Sequence, residues 1–254
     1  VHLERFKTLE RTRQAKAEIA ERASTVVLNV DDPMLGSLAD ELARAGGKKL
    51  WRCSATDPAA DVLCRPAPDG GALEAFVHGR QVGSAPRAGA APTNVACALA
   101  VAAELGVPAE ELAGRLASLP AAPNRLASYR SELGFVVIDD TFNSNPEGAR
   151  LALATLRATA RPGGRAVVVT PGMIELGPRQ AAENAAFAAE AARAATDLVV
   201  VGRTNRAALM SGAADGLARV VWVPSRKAAV SWVRSHLGPG DAVLYENDLP
   251  DHYA

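Results

Sequence analysis

Five short runs of apolar, mostly β-branched residues punctuate the second half of the chain: Phe135–Ile138, Ala166–Thr170, Leu198–Val201, Val220–Val223 and Ala242–Leu244. Between them lie four stretches with apolar residues at helical spacing, Pro146–Thr159, Arg179–Ala195, Asn205–Leu217 and Ser225–Leu237. Unbroken apolar runs mark strands covered on both faces, and strands alternating with helices imply βαβ units in a mostly parallel sheet. Pro146 suits a first helical turn, where the missing N–H has no intrahelical partner in any case. Residues 121–254 are therefore expected to form a doubly wound α/β domain of five strands and four helices that folds by itself.

The first half is less regular. Glu4–Ala23 reads as a helix, Thr25–Asn29 as a buried strand, and Asp32-Pro33 opens a helix over Met34–Ala45 that Gly46-Gly47 closes. Short β-like pieces follow at Lys49–Cys53, Asp61–Arg65 and Ala72–His78, separated by Pro, Gly and Asp turns. Thr93 offers an N-cap for an Ala-rich helix ending at Leu105, and Pro108–Leu119 forms another. Two prolines in Pro120-Ala-Ala-Pro123 cannot continue a helix, which sets the expected boundary between halves. The first half reads as an incomplete α/β domain, less stable than the second.

Composition narrows the partners. Lys+Arg 28 balance Asp+Glu 28, so whole-chain electrostatic attraction to nucleic acid or to an acidic membrane has no basis. Hydrophobic residues make up 48% and aromatics only 4%, which leaves Ala, Val and Leu to build the core. Cys53, Cys64 and Cys97 form no CxxC and no His-paired spacing, so neither a structural zinc site nor a disulfide framework is expected, and a reducing cytoplasm suits the chain. No apolar run approaches the roughly 18 residues of a membrane span, and the opening VHLERFKTLERTR lacks the apolar core of a secretory leader.

Few motifs carry chemistry. Gly46-Gly47-Lys48-Lys49 is a poor phosphate loop: Leu42 stands where the leading glycine belongs, and Lys49 replaces the metal-holding Ser or Thr. It reads as a helix stop. No GxGxxG is present, which leaves NAD or FAD without support. The informative stretch is Val136-Val137-Ile138-Asp139-Asp140-Thr141-Phe142-Asn143-Ser144-Asn145-Pro146-Glu147, two carboxylates ending a buried strand before a polar loop and a helix. Ligands of open α/β sheets bind at such strand ends. Asp140 can accept from a ribose hydroxyl or orient a cation, and Asn143 and Asn145 both donate and accept; equally, these residues can simply cap the next helix. Arg125, in Pro123-Asn124-Arg125, can grip a phosphate bidentately or pair on the surface.

The stretch Asp139–Pro146 resembles the DDxYNANP motif of the Mur ligase family, above all of the type that adds D-alanyl-D-alanine. Other segments agree in order. Pro123-Asn124-Arg125-Leu126 is similar to PGRL, Gly172–Gly177 to GDMxELG, Thr93–Ala100 to HNxxNxLA and Leu28–Pro33 to the NADDP turn; His2–Phe6 and Ala15–Ile19 are similar to AHLExF and AKxEI. The resemblance implies a partial P-loop-type central domain over 1–120 and a Rossmann-like, mostly parallel C-terminal domain over 121–254. It implies an ATP- and Mg²⁺-dependent ligase that makes an amide through an acyl phosphate, joining a UDP-linked muramoyl peptide or similar carboxylate to an amine in cell-wall peptide synthesis. Lys16 would be the lysine that the family carbamylates to hold a second Mg²⁺, which calls for a partly buried amine, and His2 that metal's histidine. Arg125 and Asp140 would close over phosphates and ribose beside Asn143 and Asn145, with Asn29, Asp31 and Asn94 on the adenine side.

Departures from the pattern qualify these expectations. The family's GTxGKT loop, its first glutamate metal ligand and its UDP-binding domain would precede His2. This chain alone is therefore expected to be inactive, with another chain or segment supplying that part. Cys97 stands for a nucleotide-contacting Asn, Thr93 for His, Gly172 for the Asp of GDM and Asn184 for a His. Leu244–Asp251 replaces the lysine-containing KGSR segment of the acceptor side. A non-catalytic Mur-ligase-like binding module, a paralogue with a different amine substrate and an unrelated nucleotide-binding α/β protein are the alternatives.

Overall fold

A computed structural model describes residues 7–86, 91–120 and 122–249. The chain divides into two compact units, Thr8–Ala121 and one built on Ala122–Ala254.

The first unit holds helices α1 (Leu9–Glu21), α2 (Pro33–Ala45), α3 (Pro92–Glu104) and α4 (Ala109–Ala117) and strands β1 (Thr25–Asn29), β2 (Lys49–Ser54), β3 (Val62–Pro66), β4 (Ala72–Val77) and β5 (Arg80–Pro86). The strands form one sheet in chain order. β1, β2 and β3 run parallel, whereas β4 and β5 return antiparallel. Trp51, Cys53, Val62, Cys64, Leu73 and Ala75 point into a core closed by Val95, Ala96, Leu99 and Ala100 of α3 and by Leu112 and Leu116 of α4. α4 comes so close to β5 that a Cβ on Gly83 would lie 3.1 Å from the Ala113 Cα. Asp32 caps α2 by accepting from the Met34 and Leu35 N–H groups. α3 departs from expectation at its start: Ala91 is its N-cap, without a side-chain hydrogen bond, and Pro92 opens it. Thr93 therefore lies inside the first turn, because the fixed φ of Pro92 is already helical. β5 has no counterpart in the sequence reading, since R-Q-V-G-S-A-P has neither an apolar run nor clean alternation.

The second unit contains β6 (Ala127–Arg130), β7 (Val136–Asp140), α5 (Pro146–Thr159), β8 (Ala166–Thr170), α6 (Gln180–Ala194), β9 (Asp197–Val201), α7 (Arg206–Gly212), β10 (Arg219–Val223), α8 (Arg226–His236) and β11 (Ala242–Glu246). The sheet order is β10-β9-β8-β11-β7-β6. It therefore has six strands, not five. The additional strand, β6, pairs antiparallel with β7. Its A-S-Y-R sequence is nearly all exposed, so no hydrophobic pattern announces it. α7 stops at Gly212, five residues short of the expected Leu217, where Ala213 caps it and turns follow.

The strand order dictates where the helices go. From β7 the chain steps over one place to β8 and then outward to β9 and β10, always in one direction. Right-handed crossovers in one direction put their helices on one face. Accordingly α5, α6 and α7 pack together over Ile138, Val168, Leu198, Val200 and Leu244. The return from β10 to β11 reverses direction, and α8 covers the opposite face with Ala229 and Val233 on Val137, Val167, Val199 and Val243. β11 fills the place left between β8 and β7, fully buried from Ala242 to Leu244.

Leu244, wholly buried at the centre of this sheet, and Leu217, 98% exposed, test that assignment. Leu244→Ala is expected to cost ~2–5 kcal/mol in urea unfolding. Leu217→Ser should stay within about 0.5 kcal/mol.

Candidate functional site

The carboxyl ends of β7, β11 and β8 come together where the connections change direction, the place where open α/β sheets bind ligands. β7 ends in Asp139-Asp140 and β11 in Glu246, with Glu246 directly opposite Asp140 in the ladder. Asp140 is 7% exposed and Glu246 1%. The Asp140 carboxylate accepts the Leu126 N–H at 3.1 Å, which pins the segment carrying Arg125 to the strand end. The Ser144 hydroxyl donates to Glu246 Oε1 at 2.5 Å. Asn247, with φ 66°, donates its backbone N–H to the Asp140 carbonyl at 3.1 Å and its amide to the Gly172 carbonyl at 2.7 Å, tying together the ends of β7, β11 and β8.

Two buried carboxyl groups side by side cannot both be ionised cheaply. Burial drives Glu246 up to about 8, further than the Ser144 hydroxyl can offset, and the Asp140 charge pushes the same way. Burial also raises Asp140, against the Leu126 N–H and the Arg125 charge. Glu246 Oε2 receives no hydrogen bond. A proton on Glu246 that is shared with Asp140 resolves both facts: the acid donates, and Asp140 remains the acceptor for Leu126.

The neighbouring loops sort the predicted residues. Asn145 is the N-cap of α5, accepting the Gly148 N–H at 3.0 Å, so its side chain is structural. Asp139 accepts from the Thr141 backbone and hydroxyl. Arg125 is exposed and its guanidinium lies 4.4 Å from the centre of the exposed Phe142 ring. Phe142 donates its N–H to the Asn124 carbonyl at 3.1 Å, so the backbone next to Arg125 is tied to that of Phe142. Phe142, Ser144 and Glu246 are members of the site that sequence reasoning passed over; an acidic residue directly after the apolar run Ala242–Tyr245 was the available signal for the last.

The departures at 172 and 184 prove to be one feature. A Cβ on Gly172, which has φ 81°, would lie 2.3 Å from Asn184 Oδ1 and 2.9 Å from Asn205. Asn184 fills that space, accepting the Met173 N–H at 2.8 Å and donating to the Met173 carbonyl at 2.9 Å. Asn205 adds bonds to the Pro171 and Met173 carbonyls at 3.0 and 3.1 Å. Glycine and asparagine are thus required together.

In the first unit, Thr25 at the start of β1 bonds Glu104 at the end of α3 at 3.0 Å, and Cys53 of β2 meets the Ala96 carbonyl near the start of α3 at 3.6 Å. α3 therefore runs antiparallel to these strands, and Asn94 lies at the same sheet end as Asn29 and Asp31. Asn29 accepts the Asp31 N–H at 3.1 Å. The Asp31 carboxylate holds the loop after β2 through the Ser54 hydroxyl, the Ala55 N–H at 2.7 Å and the Thr56 hydroxyl at 3.2 Å. Asn94 is exposed. Lys16 is exposed on α1, not partly buried as expected, because that helix buries only Ala20. His2 lies outside the described residues. Among the described residues no three His, Cys, Asp or Glu side chains gather as a metal site. No helix among them is long and apolar enough to cross a membrane.

With this geometry in place, comparison with known proteins is decisive. The Mur ligase middle-domain model matches residues 1–102, and the Mur ligase glutamate-ligase-domain model matches 124–245. The chain belongs to the Mur ligase family. It is 32% identical to the UDP-N-acetylmuramoyl-tripeptide–D-alanyl-D-alanine ligase of Mycobacterium leprae, over 96% of this chain and 53% of that protein. It is 30% identical to the UDP-N-acetylmuramoylalanine–D-glutamate ligase of a Synechococcus strain, over 61% of this chain and 34% of that protein. Among solved structures, MurF ligase from Thermotoga maritima, in complex with ADP, superposes with a TM-score of 0.75 at 21% identity, over 98% of this chain and 56% of that one. The chain thus spans about half the length of such Mur ligases.

The shared proton makes stability pH-dependent. Glu246 holds its proton up to about 8 in the fold, against an ordinary value of 4.5, so the folded chain binds the extra proton between those values. Its contribution is full below 4.5 and is lost as pH rises through about 8. Urea-unfolding free energy should fall by a few kcal/mol from about pH 5 to about pH 8. Glu246→Gln, which keeps a donor without a charge, should flatten that slope; an unchanged slope would refute the shared proton.

Proposed function

We propose that this chain is the central and C-terminal part of an ATP-dependent, amide-bond-forming Mur ligase of the D-alanyl-D-alanine-adding type, working on UDP-linked muramoyl peptide in the cytoplasm. In this reading residues 1–120 belong to the ATPase domain and residues 121–254 to the C-terminal domain. The observation that carries it is the alignment of 96% of the chain with ligases of that name at 32% identity. In such a reaction a substrate carboxylate takes the terminal phosphoryl group of ATP, an amine attacks the resulting acyl phosphate, and phosphate leaves as the amide forms.

Within that chemistry, Arg125 is the group that meets nucleotide phosphate. Its exposed guanidinium lies over the Phe142 ring, and its fork of donors suits bidentate contact with a phosphate. Asn143, half-buried and without a side-chain hydrogen bond among the described residues, supplies an adjacent donor and acceptor. Asp140 acts from beneath as a positioning residue, since its carboxylate is taken up by Leu126 and Glu246. Asn29, Asp31 and Asn94 form the adenine side of the first unit. A paralogue that accepts a different amine is the second reading. It is favoured by Glu246, buried in the segment where the D-alanyl-D-alanine-adding type carries a lysine.

A fluorescent ADP analogue titrated into the purified chain tests this reading. Arg125→Ala should weaken binding about tenfold to a hundredfold, the value of a charge-assisted bond to phosphate. The chain alone should show no Mg²⁺-dependent ATPase above background, because the family's phosphate loop is not among its residues. No binding of the analogue by the parent chain, or binding that Arg125→Ala leaves unchanged, would overturn the proposal.

A further inference from the structure

The sheet of the second unit has an open edge that the ligase reading does not use. β10 is its outermost strand and pairs on one side only, with β9. The Arg219 N–H donates to the Thr196 carbonyl and the Val223 carbonyl accepts the Gly202 N–H, both at 2.9 Å. Successive residues of a strand turn their backbone groups to opposite sides. Val220 and Trp222 therefore direct their N–H and C=O groups to the side where, among the described residues, the sheet has no further strand. Edge strands are commonly guarded by prolines, bulges or free charges. β10 runs five residues in unbroken register without proline or bulge, and its one charge, Arg219, is paired with buried Asp197 at 3.2 Å. Val220, Val221 and Trp222 are only half-buried, and Leu217, just before the strand, is 98% exposed.

We infer that β10 pairs antiparallel with β10 of a second copy of this chain, with Val221 on the two-fold axis, joining two sheets into one. In that register Val220 of each copy stands opposite Trp222 of the other. These are the residues with outward backbone groups, so both rungs are hydrogen-bonded pairs and every outward group of the strand finds a partner. Val220 and Trp222 lie on the same face of the sheet. An aromatic residue set directly opposite a β-branched one stabilises such a pair. The indole is already fixed for that contact: its Nε1–H donates to the Gly202 carbonyl at 2.6 Å, and the Arg206 guanidinium lies 4.3 Å over the ring.

Charge suits a second copy as the occupant. Arg219 stands opposite Val223 of the other copy, so no like charges meet across a rung. Lys+Arg 28 against Asp+Glu 28 leaves no net charge to hold two copies apart. β10 and β6 are opposite edges of the sheet, with β7 next to β6. The pairing therefore leaves the strand ends around Asp140 and Glu246 open, and it does not depend on the chain being a ligase.

Sedimentation equilibrium of the purified chain over a concentration series tests this. The parent chain should reach twice the mass of one chain as its concentration rises through the micromolar range. Val220→Pro removes an outward N–H without touching the ladder to β9, a place where edge strands tolerate proline. It should keep the parent's far-UV circular dichroism and stay at the mass of one chain throughout. Val221→Glu and Val221→Lys each set like charges against each other across the axis and should be monomeric alone. An equimolar mixture of the two should recover the dimer, because residue 221 then faces its opposite charge. The proline variant and the charge pair are independent, so either keeps the test valid if the other fails to fold. A parent chain that stays monomeric at every concentration, a dimer that Val220→Pro leaves intact, a mixture that does not associate, or growth beyond two chains would each overturn the inference.

Discussion

Glu246 sits at the carboxyl end of β11, with no ion pair to a cation among the described residues, and that single burial organises the site. An ionised glutamate there would face the Asp140 carboxylate across one rung of the ladder. Keeping a proton between them turns repulsion into a hydrogen bond and leaves Asp140 free to hold the Leu126 N–H. The Arg125–Phe142 stack then follows, because its backbone is anchored through Leu126 and Asn124. Asn247, one residue on, adopts a left-handed conformation to reach both neighbouring strand ends. The exposed guanidinium thus depends on a buried acid at the neighbouring strand end.

The loop after β8 obeys a related logic. Its backbone groups at Pro171 and Met173 are buried and need partners, and Asn184 and Asn205 supply them from α6 and the start of α7. Asn184 can approach this closely only because residue 172 has no side chain. Residues that differ from the family pattern at two separated positions are one steric and hydrogen-bonding solution.

The first unit is arranged by polar anchors along a smaller core. Asp31 binds the loop after β2, and Glu104 gathers Thr25, Lys49 and Trp51 at the far end of α3. These contacts fix α3 lengthwise against the strands, which keeps Asn94 level with Asn29. The polar residues that resemble a nucleotide-binding turn therefore also hold the unit's architecture.

By itself, the sequence determined every element whose pattern is local. Ala166–Thr170 and Pro146–Thr159 were legible to the residue, because a strand covered on both faces must be continuously apolar and a helix with Asn145 before it and Pro146 at its start begins nowhere else. Arg125, Asp140 and Asn143 were legible as candidates from motif resemblance. What tertiary structure alone decided was anything whose physics lies in a partner far along the chain. β5 and β6 have weak patterns of their own and exist through pairing with β4 and β7. The assignment of Asn145 to a cap, Asp31 to a loop and Lys16 to solvent depends on which backbone groups and helix faces arrive beside them. Glu246 ends an apolar run, and only the insertion of β11 beside β7 sets it against Asp140, where burial and a like charge give it a proton to hold.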